Sequence, residues 1–124
     1  MNCPKCDAVM EAVEYNSVEV DRCTNCQGIW FDMLEAEQLK DIKGAESIDI
    51  GDQKVGKEYN KIDKVNCPKC KTLMSKMVDN DQPHIWYEAC GVCYGVFFDA
   101  GEFRDYKEEN IFDFFKKIIK KPRQ

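Results

Sequence analysis

Eight cysteines constrain this chain more than any other feature. They form four C-x-x-C pairs: Cys3 and Cys6, Cys23 and Cys26, Cys67 and Cys70, Cys90 and Cys93. Two such knuckles separated by a hairpin-sized spacer supply four thiolates in a tetrahedron, the ligand set of a structural zinc site. Sequential pairing places Cys3, Cys6, Cys23 and Cys26 in one site and Cys67, Cys70, Cys90 and Cys93 in the other, so the expected load is two Zn2+ per chain. Pairing of knuckles across the two halves is the alternative arrangement. A segment of about 40 residues rarely buries enough apolar area to fold alone. Metal binding and folding are therefore expected to be one event in each half, and loss of Cys23 to unfold the first half while sparing the second.

The halves are copies of one unit. Cys6-Asp7-Ala8-Val9-Met10 aligns with Cys70-Lys71-Thr72-Leu73-Met74, and Cys26-Gln27-Gly28-Ile29-Trp30-Phe31-Asp32 with Cys93-Tyr94-Gly95-Val96-Phe97-Phe98-Asp99. Glu35 then aligns with Glu102. Each copy reads as strand, turn, strand, knuckle, strand, helix. Val9 to Tyr15 and Val18 to Arg22 flank an Asn16-Ser17 turn, while Leu73 to Val78 and Ile85 to Ala89 flank a longer polar one. Gly28 and Gly95 are expected to supply positive φ in the knuckle turn. Asp32 with Glu35, and Asp99 with Glu102, have capping-box spacing ahead of helices from about Met33 to Ile42 and from Ala100 through Tyr106. The fold class is thus a small metal-bound α+β protein, two tandem zinc ribbons with a short antiparallel sheet and a helix in each.

Four segments follow: 1–43, the first ribbon; 44–66, a linker of mixed charge that would let the modules move independently; 67–109, the second ribbon; and 110–124, a C-terminal amphipathic helix and basic tail. In the last segment Ile111, Phe114, Phe115, Ile118 and Ile119 share one helical face, and Lys116, Lys117, Lys120 and Lys121 the other. That stripe is expected to pack on its own ribbon, to dock a protein partner or a second copy, or to lie with Arg123 on an anionic surface.

Net charge at pH 7 is -5, with four basic and nine acidic side chains in residues 1–43. Two four-thiolate zinc sites would lower the total further. This balance disfavours nucleic acid, whose binders normally carry the opposite sign. No run of about 20 apolar residues is present to span a bilayer, and the chain opens Met1-Asn2-Cys3 without a secretory pattern. The expected location is the cytoplasm, where paired thiols hold metals more often than they form disulfides.

Other chemistries are open to the same residues. A four-thiolate site also accepts iron, and labile zinc would make the thiols redox sensors; Lys5 and Lys69 lie inside the first knuckles and could favour thiolates or donate toward the sulfurs. Capping explains Asp32, Glu35, Asp99 and Glu102 without catalysis. His84 reads as a solvated loop residue. Trp30, Phe31, Phe97 and Phe98 read as core ahead of a base-stacking platform. Four cysteine ligands leave no open metal position, and no nucleophile–base pair or phosphate loop is present, so no enzyme is expected.

The CPKC knuckle, the hairpin, the second C-x-x-C and the following GIWFD or GVFFD resemble the transcription factor IIB-type zinc ribbon family, across about residues 1–43 and 67–106. The resemblance implies a four-cysteine zinc ribbon with the same two ligand sets. The expected function is that of a structural zinc-binding protein acting as an interaction scaffold. The alternatives are a nucleic-acid-binding, transcription-associated ribbon and a redox or iron protein.

Overall fold

The computed structural model describes residues 1–79 and 85–106. His84, the segment 110–124 and its lysines lie outside these residues. In the first copy, β1 (Met10–Tyr15) and β2 (Val18–Cys23) pair antiparallel from Met10↔Cys23 to Tyr15↔Val18. Asn16 (φ 52°) and Ser17 (φ 68°) both adopt left-handed backbone in the two-residue turn, the geometry whose twist matches a hairpin. β3 (Ile29–Phe31) adds to β2, and α1 (Glu35–Lys40) follows. The second copy repeats the plan with β4 (Ser75–Val78), β5 (Trp86–Ala89) and β6 (Val96–Phe98), then helical residues 102–106.

The two copies are not separate modules. β3 pairs antiparallel with β6, giving one six-stranded sheet in the order β1-β2-β3-β6-β5-β4. The register is Ile29↔Phe98, Trp30↔Phe97 and Phe31↔Val96. Trp30 and Phe97 are equivalent positions in the repeat, so a pseudo-twofold axis passes between them. Each copy protects the edge the other would expose, which is a standard hazard of a short sheet.

Alternation along β3 and β6 sends side chains to two cores. Ile29, Phe31 and Phe98 join Leu39, Phe103 and Tyr106 beneath the helices. There Phe31 lies edge-on to Phe98, with ring centroids 5.6 Å apart. Trp30 and Phe97 face the other way, among the cysteines, Met10, Met74 and Val65. All four aromatics are buried, so they form core and offer no stacking platform.

Residues 44–66 depart from the expected linker. They carry a 3-10 turn at Ala45–Ile48 and α2 (Gln53–Asn60). Asp49 is buried and accepts the amides of Gly51 at 3.2 Å, Gly101 at 2.9 Å and Arg104 at 3.0 Å. Arg104 returns its guanidinium to the carbonyls of Asp49 at 2.9 Å and Gly51 at 3.3 Å. This single carboxylate caps the helical residues 102–106 from more than 50 positions away and ties the segment to the second ribbon. Gly56 lets α2 approach closely, since a Cβ there would stand 2.0 Å from the Ala100 carbonyl oxygen.

Candidate metal centres and the joint between them

Each four-cysteine set converges. Within Cys3, Cys6, Cys23 and Cys26, and within Cys67, Cys70, Cys90 and Cys93, all sulfurs lie within 4.8 Å of one another. The Sγ–Sγ separations of 3.7 Å for Cys3–Cys26, 3.3 Å for Cys6–Cys23 and 3.8 Å for Cys67–Cys93 fit a tetrahedron, because metal–sulfur bonds of about 2.3 Å set ligands roughly 3.8 Å apart. The knuckles pair within each copy, and cross-repeat pairing is not the arrangement found.

The tight turns aim amides at the sulfurs. Cys23 receives the N–H groups of Asn25 at 3.3 Å and Cys26 at 3.4 Å; Cys67 receives those of Lys69 at 3.4 Å and Cys70 at 3.3 Å. Such donors favour thiolate, the form that binds metal. The hydrogen bond from Cys26 brings the Cys3 thiol down to about 5, and the same bond, with burial, pushes Cys26 up. Burial opposes ionisation of Cys90, but the amides of Cys93 and Val92 carry it down to about 6.

Glycine and lysine in the repeated motif have roles other than those expected. Positive φ falls on Gln27 (64°) and Tyr94 (62°), one residue before each glycine. Gly28 and Gly95 instead make room for the opposite ribbon. A Cβ on Gly28 would meet Phe97 Cζ at 2.3 Å, and one on Gly95 would meet Trp30 Cζ2 at 2.2 Å. Each copy thus seats the other's central aromatic over its own glycine.

The lysines are exchanged in the same way. Lys5 of the first knuckle reaches Asp99 of the second ribbon at 2.7 Å and Glu88 at 3.0 Å, and Lys69 pairs with Asp32 of the first. Neither lysine donates to a sulfur in the observed geometry. Asp32 also accepts Trp30 Nε1 at 3.2 Å. The expected capping box is half made in the first copy, where Glu35 accepts the Asp32 amide at 2.7 Å, and in both copies the aspartate side chain faces a lysine across the joint.

The two exchanges differ in burial. Lys69 and Asp32 are partly exposed, whereas Lys5 and Asp99 are fully enclosed. α2 closes over the second pair, and the Tyr59 carbonyl accepts Lys5 Nζ at 3.0 Å. Burial raises Asp99 to about 6, against the opposing pull of Lys5. It raises Glu102 to about 8, with the Asp99 charge adding to the effect. A carboxyl raised in the folded state contributes stability that is present below its unfolded value near 4.5 and lost as pH climbs to about 8. Relative to Glu102→Gln, the native protein should lose up to about 1.4 kcal/mol per pH unit in that window and nothing further above it. Denaturant midpoints of both proteins at pH 6.5 to 9 check this, since the metal's own pH dependence cancels in the difference.

The repeated cysteine sets, with one ribbon built around each, are recognised by the family model for transcription factor zinc-finger proteins, which matches residues 2–42 and 66–109. The chain belongs to that family. No curated protein and no solved structure gives a match. Both ribbons fall within the matched residues, and the β3–β6 pairing joins them into one sheet. Among the described residues no helix is long and apolar enough to cross a membrane.

Proposed function

We propose that this zinc-ribbon protein is a structural, non-catalytic scaffold that binds two zinc ions and presents one rigid, acidic surface for contact with another protein. The β3–β6 pairing carries this reading, because it converts two small metal sites into a single platform. Four cysteines saturate each tetrahedron and leave no position for water or substrate. Glu14 and Glu19, cross-strand neighbours in the β1–β2 hairpin, are both exposed, which suits a basic partner surface. The location that fits is the cytoplasm, where the thiols stay reduced.

The family's description as a transcription factor supports a second reading, contact with nucleic acid. Net acidity and the burial of Trp30 and Phe97 count against it. Elemental analysis beside native mass spectrometry should give two zincs per chain and no iron; iron, or fewer metals with oxidised thiols, would replace the structural reading with a redox one. Electrophoretic shift assays with DNA and RNA at low salt should show no tight binding. Salt-sensitive binding there would favour the nucleic-acid reading. A captured protein partner should be lost when Glu14 and Glu19 are changed to lysine.

A further inference from the structure

The pseudo-twofold axis makes the two faces of the molecule comparable, and they are covered differently. On one face, residues 49–56 seat against Ala100, Gly101 and Arg104, with Asp49, Gly51 and Gly56 supplying the contacts. The axis carries Ala100 and Gly101 onto Met33 and Leu34. On that mate face no described segment lies over the surface, and Met33 and Leu34 are each 55% exposed, with Tyr94 at 64%. Together with Ala36, Glu37 and Val96 they line a groove of about 400 Å³.

Leu34 makes the groove unusual. Its φ is 69°, while its mate Gly101 has φ 80°. A leucine in left-handed backbone costs about 1–2 kcal/mol, and this one is also half in water. Strain combined with exposure at a large apolar side chain points to a contact.

We propose that the chain's own C-terminal segment, residues 110–124, is the occupant of this groove. Its apolar stripe of Ile111, Phe114, Phe115, Ile118 and Ile119 matches the apolar lining, and its charge matches the surroundings. Residues 110–124 carry five basic side chains and one acidic, whereas residues 1–43 are acidic by five. Connection geometry supports a contact within one chain. The Tyr106 ring lies 5.3 Å from Phe98 and 4.3 Å from Lys40 Nζ, so the chain leaves the described fold beside the C-terminal end of α1. Leu34 lies six residues back along that helix, about 9 Å away by its rise. Residues 107–109 can span about 10 Å, and a tether this short gives a high effective concentration. The contact goes beyond the scaffold reading and does not depend on it.

Nuclear Overhauser contacts in the zinc-loaded full chain test the proposal directly. Methyl groups of Met33 and Leu34 should show contacts to the rings of Phe114 or Phe115 within one chain. Tyr94→Glu, which changes an exposed side chain, should weaken them, as should Leu34→Asp. Mixing differently labelled chains separates the sources: contacts found only between copies would overturn the proposal in favour of a second copy. Absence of any contact in the native chain would overturn it outright. None of these outcomes alters the zinc count or partner capture that test the scaffold reading.

Discussion

Cys23→Ser should weaken the metal at the other site, Cys67, Cys70, Cys90 and Cys93, by about a thousandfold. Cys23 is fully buried and its sulfur accepts two amides, so its replacement removes a ligand whose site holds the first ribbon together. Structural zinc contributes about 10–16 kcal/mol in small fingers, comparable to or above the whole stability of a typical domain. The first ribbon therefore unfolds. Two independent modules would leave the second site untouched.

The joint predicts otherwise. When β3 melts, β6 becomes an unpaired edge, Phe97 loses its seat over Gly28, and Phe98 loses the Phe31 ring. Burying a phenylalanine is worth about 1.5–3 kcal/mol, so two of them bring a coupling of roughly 3–6 kcal/mol. At about 1.4 kcal/mol per decade, that is about a hundredfold to ten-thousandfold in affinity at a site that never lost a ligand. Competition against a zinc chelator measures it, and an unchanged second affinity would refute the coupling.

The cysteine sets, the duplication and the strand order within each copy were legible because their signals are local: spacing, alternation and turn chemistry. The joint was not. Nothing near Gly28 announces that Phe97 will lie over it, and the commoner demand on such a glycine, positive φ, is met by Gln27 instead. Repeat identity held the missing signal. Lysine, glycine and aspartate recur at matched positions in both copies, and side chains exchanged about a twofold axis must recur in this way. Asp49 is not legible for a different reason: it caps residues 102–106 across more than 50 positions, and only the folded chain brings it there. That contact also turns the supposed linker into part of the structure.

Lys5→Met should cost about 3–5 kcal/mol, while the equivalent change Lys69→Met should cost under about 1. Both lysines occupy the same knuckle position and both pair with the aspartate of the opposite ribbon. Burial decides the difference. Lys69 and Asp32 meet with solvent at hand, where water and salt screen the pair and its contribution is small. Lys5 is enclosed with Asp99 and Glu88, beneath Phe97 at 5.8 Å and the Tyr59 carbonyl. Removing the cation strands Asp99 and leaves Glu88 only the longer Lys76 pair at 3.8 Å, and breaking one side of a buried pair is expensive even where the intact pair is only neutral. Thermal midpoints of the zinc-loaded proteins should fall by about 10–20 °C for Lys5→Met and by a few degrees at most for Lys69→Met. Neutralising the stranded carboxylate with Asp99→Asn should restore much of the loss. A comparable drop in both lysine variants would mean that the knuckle itself, rather than the buried exchange across the joint, requires the lysine.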